Sequence, residues 1–192
     1  MHNKKLATAC HDKRVRIFDV GAASAPPMTI SGLADDTLRC AKFLRDSTTI
    51  LASYTNKAGL DVLDSRSGKK VGSIPTSAPV TSIEIAYDGS TVTTASGTEI
   101  GVYEGDSMRL YHRLEALQQV ESASLCAHKN LMVVGGQDMW AYMLDYPSGK
   151  PIMVYKGHFG PIWSIQFSHD GESFASASED GTVRIWWTKN RG

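Results

Sequence analysis

The chain has 192 residues, with 20 acidic and 20 basic side chains, a formal net charge of zero and 42% hydrophobic residues. This is the make-up of one globular domain able to bury a core, and without a block of like charge it is not a composition built for a polyanion or an anionic membrane. Cys10, Cys40 and Cys126 are dispersed, odd in number and free of C-x-x-C spacing, which excludes a disulfide framework and points to a reducing compartment, cytosol or nucleus. No apolar run approaches the ~18 residues of a membrane-spanning helix, and the start of the chain lacks signal-peptide character, so no membrane insertion is expected.

Read in chain order, short apolar runs alternate with turn signals and no stretch keeps a helical period, which predicts an all-β chain. Leu6–Ala9 reads as a strand, and a second run ends at Phe18-Asp19. Gly21–Ala25 and the prolines at 26 and 27 have loop composition and mark no domain boundary. Further runs end at Leu63-Asp64, Tyr103-Glu104 and Leu144-Asp145. The last unit is the clearest: Gly157-His158, then Ile162–Phe167, the turn Ser168–Gly171, Ser173–Ser178, the turn Glu179–Gly181, and Thr182–Trp186. Its Asp-Gly pairs supply the positive φ that two-residue hairpin loops demand. Laid over the rest, this unit aligns Trp186 with Leu144, Tyr103, Leu63 and Phe18, at spacings of 42, 41, 40 and 45 residues. A period of this size with four strands per unit predicts propeller blades.

Gly157-His158, Ser176, Asp180 and Trp186 carry the Gly-His, strand-serine, turn-aspartate and tryptophan pattern, and over nearly its whole length the chain resembles the WD-repeat family. The resemblance implies a β-propeller in one domain over residues 1–192, with repeats ending near residues 19, 64, 104, 145 and 187. It also implies that His158, Ser176, Asp180 and Trp186 form a hydrogen-bonded structural network. The other units keep only one or two members of the set: Thr8 and Asp12 with Phe18, Ser53 with Leu63, Thr93 with Tyr103, and Asp138 with Leu144. These are expected to hold by packing between sheets. Trp187 stands where the family has aspartate. Leu6–Ala9 matches the second of a blade's inner three strands, so the expected inventory is half a blade plus about four blades of a seven-bladed ring. That makes the chain an incomplete propeller: a fragment, an isoform or a partial gene model.

Within the family, Val133–Asp138, Leu144–Gly149, Tyr155–Ile162, Ser168–Glu172 and Ala177–Gly181 resemble the kinase-receptor-associated adaptor branch. That resemblance implies a scaffold in survival-of-motor-neuron complex assembly of spliceosomal ribonucleoproteins and in mRNA splicing, with a receptor-kinase signalling role. The branch of translation initiation factor 3 i subunits shares Gly157–Ile162 and the following Asp-Gly turn, and is the alternative.

His158, Ser176 and Asp180 are the residue types of a hydrolase triad, but no G-x-S-x-G elbow lifts the serine and all three sit where the blade needs them, so no enzyme is expected. His2, His11, His112, His128 and His169 lack ligand spacing, so no metal or other cofactor is expected, and no small-molecule substrate. Gly135-Gly136 and Gly171 read as turn glycines rather than a phosphate loop. Lys4, Lys5, Lys13, Arg14 and Arg16 read as solvated charges, and any RNA contact as indirect. The expected partners are proteins of a multi-subunit complex. Strand alternation after His158 sends Phe159, Pro161 and Trp163 to the loop-lined rim, joined by Glu179, while Ile162 and Ile165 enter the core. His11 and Gln137 are the equivalent rim residues of other blades.

Overall fold

The computed structural model describes residues 4–22 and 24–189, and these are all β apart from two single 3-10 turns. The first sheet holds β1 (Lys5–Ala9), β2 (Val15–Asp19) and β3 (Met28–Ile30). The second runs through β4 (Leu38–Phe43), β5 (Thr49–Tyr54), β6 (Ala58–Asp64) and the first half of β7 (Lys69–Ile85). The third takes the second half of β7 with β8 (Thr91–Ser96), β9 (Glu99–Glu104) and β10 (Leu110–Glu115). The fourth comprises β11 (Val120–Cys126), β12 (Leu131–Gly136), β13 (Ala141–Asp145) and β14 (Pro151–Tyr155), and the last β15 (Ile162–Phe167), β16 (Ser173–Ser178) and β17 (Val183–Trp187). Every pairing is antiparallel between sequence neighbours.

Strand β7 joins two sheets that a strict four-strand repeat would keep apart. Its crossing carries Pro75 and Pro79, whose rings hold the backbone extended, and Thr76 clips it in place. The Thr76 hydroxyl accepts from Gly59 N–H at 2.8 Å and donates to the Ala78 carbonyl at 2.6 Å. The chain therefore changes sheet without breaking strand conformation. The turns of the last sheet also depart from expectation. They span 168–172 and 179–182, longer than a two-residue hairpin, although Gly171 and Gly181 do adopt positive φ.

Four apolar clusters sit one between each successive pair of sheets, as blades packed side by side require. Val15, Ile17 and Ile30 meet Leu38, Ile50 and Leu63 between the first two. Leu51 and Leu60 meet Val80, Ile83 and Val92 at the next. Ile100, Val102 and Leu114 then meet Val120, Met132 and Leu144, and Val133 and Met143 meet Ile162, Ile165 and Phe174. Each such side chain, fully buried, contributes about 1.5–3 kcal/mol.

In the fourth and last sheets the first strand would present unpaired backbone groups along its free edge, and side chains from the preceding sheet cap several of them. Leu125 N–H donates to Glu84 at 2.9 Å, Ile165 N–H to Ser122 at 3.2 Å and Phe167 N–H to Ser124 at 3.0 Å. The serines at these positions are thus cross-sheet acceptors.

The glycine pair Gly135-Gly136 is not in a turn. It closes β12, where a Cβ on Gly135 would lie 2.6 Å from Ile162 Cγ2 and one on Gly136 would lie 2.0 Å from the Gln119 carbonyl oxygen. Glycine is needed there because neighbouring elements approach the strand too closely for a side chain.

Candidate functional site: a clamped loop on the propeller rim

The loop from Gly157 to Pro161 is held from below by a buried polar chain. Trp186 Nε1–H donates to Ser176 Oγ at 2.8 Å, Ser176 Oγ lies 2.7 Å from His158 Nε2, and His158 Nδ1 lies 2.9 Å from Asp180 Oδ2. A carboxylate only accepts, so Nδ1 carries the imidazole proton and Nε2 accepts the serine hydroxyl. Asp180 further accepts from Phe159 N–H at 3.0 Å, and from Thr182 through its backbone N–H and its hydroxyl. The Phe159 amide, the Thr182 hydroxyl and His158 together hold the Asp180 carboxyl far below the usual carboxylate range. Gly157 lies flat against Trp186, whose ring a Cβ would meet at 2.9 Å.

A second set of bonds fixes the loop to the β16–β17 turn: Ser178 Oγ donates to the Gly160 carbonyl at 2.8 Å, and Glu179 N–H to the Pro161 carbonyl at 2.9 Å. Phe159, Pro161 and Glu179 are thereby brought onto one rim. The Phe159 backbone is pinned while its ring is 86% exposed. Ser176, by contrast, is 1% exposed with its hydroxyl enclosed between histidine and indole, and it meets no solvent at which a substrate could be attacked.

Trp163 stands where the register of β15 on β16 breaks, between Ile162 and Ser164, and is 44% exposed. The same break recurs in the second, third and fourth sheets, leaving Arg39, Thr81 and Glu121 at the equivalent position. These residues form a polar bridge that sequence reasoning missed. Arg39 Nη2 pairs with Glu121 at 3.0 Å, while Arg39 Nε donates to the Thr81 carbonyl at 3.3 Å, linking the second sheet to the fourth across the third. Gln137, exposed on the rim, turns its amide to the same Glu121 at 2.9 Å. His11 is exposed in the β1–β2 turn, in the first sheet and apart from the Phe159 group. Of the basic residues near the start, Lys13 pairs with Asp35 and Arg16 with Asp12, so that cluster is partly neutralised locally. His2 lies outside the described residues.

Other units replace the polar chain in their own ways. In the second sheet Tyr54 Oη donates to the buried Asp61 at 2.5 Å, and Lys57 and Lys70 pair with the same carboxylate. In the fourth, Asp138 accepts from Gln118 and from the Tyr142 hydroxyl. Among the described residues no group of three His, Cys, Asp or Glu side chains is placed to hold a metal ion, and no helix is long and apolar enough to cross a membrane.

Stacked antiparallel sheets, a clamped Gly-His loop and a match of residues 149–186 to the WD domain, G-beta repeat family model make this chain a WD40-repeat protein. It resembles serine-threonine kinase receptor-associated protein. It is 36% identical to the Mus musculus protein over 183 residues, covering 95% of this chain and 51% of the relative. The Dictyostelium discoideum protein is 32% identical over 185 residues, covering 96% and 62%. Eukaryotic translation initiation factor 3 subunit I of Drosophila erecta is 32% identical over 154 residues, covering 71% and 47%. The chain thus spans about half the length of the mouse relative, and these relatives carry the names of non-enzymatic proteins.

Proposed function

We propose that the chain is a non-catalytic scaffold that presents its rim loops to protein partners in a survival-of-motor-neuron-type complex assembling spliceosomal ribonucleoproteins for mRNA splicing. A further role at receptor kinases, and residence in cytosol and nucleus, belong to the same reading. The observation that carries it is the 86% exposed Phe159 ring on a backbone fixed by Asp180, with Glu179 beside it. A rigid aromatic projecting from a pre-ordered loop binds without first paying to order itself, which is the character of an interface hot spot. Similarity to serine-threonine kinase receptor-associated protein over 95% of the chain supports the receptor-kinase part of this reading, and the choice of complex follows from the resemblance of Val133–Asp138 and Leu144–Gly149 to that branch. A second reading, an i-like subunit of initiation factor 3, is favoured by the similarity covering 71% of the chain.

Affinity capture with the full chain and with Phe159→Ala tests this. Survival-of-motor-neuron components should be retained by the parent and lost at least several-fold from the variant. Capture of initiation-factor subunits instead selects the second reading, and equal capture by both chains removes Phe159 from the interface.

A further inference from the structure

The polar chain of the last sheet has a counterpart of opposite chemistry 42 residues earlier in the sequence. Ala116 stands for His158, Val134 for Ser176, Leu144 for Trp186, and only Asp138 is kept for Asp180. The strand registers agree, since Met132 opposes Leu144 as Phe174 opposes Trp186. Where histidine and indole fill the last sheet, the smaller alanine and leucine leave a cavity of about 150 Å3, lined by Ala116, Val134, Leu144 and Tyr142. Asp138 does not turn into this space with an unmet charge, because Gln118 and the Tyr142 hydroxyl bind it. The cavity is mostly apolar, with Glu115, Gln118, Gln119 and Lys150 also in its lining, and its mouth carries Leu117, which is 90% exposed.

We propose that this cavity is a binding site for a phenyl-sized apolar group, and that its occupant is a phenylalanine side chain of a partner protein. The proposal rests on the scaffold reading above for the source of the ring, though not for the cavity itself. Size supports the assignment, since about 150 Å3 of apolar-lined space is enough to accept benzene. Shape supports it too. Gly135 and Gly136 form part of the lining without side chains, and a slot between the 115–119 segment and the strands of the fourth sheet with a flat backbone wall admits a planar ring better than a branched chain. Leu117 at the mouth extends the apolar surface outward, so the residues flanking such a phenylalanine would rest on it.

Methyl-resolved NMR of the full chain tests this, titrating first with benzene and then with N-acetyl-phenylalanine methylamide. Saturable shifts of the Val134 and Leu144 methyls with both probes are expected, with none from the alanine analogue. Leu144→Trp, which restores the bulk found in the last sheet, should abolish the Val134 response. Ala116→Leu provides an independent plug if the first variant does not fold. Absence of saturable shifts with benzene overturns the cavity as a site. A response to benzene without one to the phenylalanine amide overturns the protein side chain as occupant. Neither result depends on which complex is captured with the chain, so failure of the scaffold reading would be seen separately.

Discussion

Ser176 and Ser53 occupy the same strand position, each ten residues before the site of the family tryptophan, and both are buried. Ser176 links indole to imidazole, whereas Ser53 Oγ has no hydrogen-bond partner among the described residues, because Leu63 offers no donor where Trp186 does. Replacing Ser176 by alanine would orphan two buried groups, and a loss of about 1–3 kcal/mol is expected in urea unfolding. Replacing Ser53 by alanine removes only a desolvated hydroxyl and should be neutral or stabilising. Equal losses at the two sites would show that the polar chain does not distinguish the last sheet. His158, Ser176, Asp180 and Trp186 stand out in the sequence because fixed strand and turn lengths set their spacing. Tyr54 and Asp61 do not, since they meet only through the turn that folds β5 onto β6. Arg39 and Glu121 are further still from being readable, being 82 residues apart and joined only by the stacking of three sheets.

At the level of strands and turns, the carboxylates divide into two groups. Arg16 lowers Asp12 to about 2, and the amides of Arg66 and Ser67 with the Ser67 hydroxyl lower Asp64 to about 2; Asp180 is displaced the same way. A carboxyl whose pKa falls on folding stabilises above its unfolded value near 3.9, and that stability is lost as pH drops through the folded value. Thermal stability should therefore fall between about pH 4 and pH 2 as these turn carboxylates become protonated. Glu84 goes the other way. Burial between the third and fourth sheets raises its pKa against the pull of Ser124 and Leu125, so its contribution is greatest below the unfolded value and declines as pH rises through the folded one. Glu84→Gln keeps an acceptor for Leu125 and should flatten the decline above about pH 4.5 while leaving the acid limb intact, as scanning calorimetry across pH would record. The strands themselves were legible from alternation and turn residues. A glycine pair such as Gly135-Gly136 reads alike in a turn and in a crowded strand, and only the approach of Ile162 and Gln119 separates the two.

For the molecule as a whole, the forty-residue period was enough to anticipate sheets packed in series, because each repeat carries one apolar face that only a neighbouring sheet can cover. What a period cannot convey is how strongly adjacent repeats are coupled, and β7 makes that coupling uneven. Through Pro75–Pro79 one uninterrupted strand serves both the second and the third sheet, whereas 116–119 and 156–161 connect the later sheets by loops. Local opening that frees β7 from either sheet disturbs the other, so the two should behave as one foldon, with amide exchange across residues 38–115 slowing and collapsing together. The last sheet, hinged on its loop, should exchange on its own schedule. The molecule would then come apart as a fused pair and separable neighbours, not as a row of equal tiles.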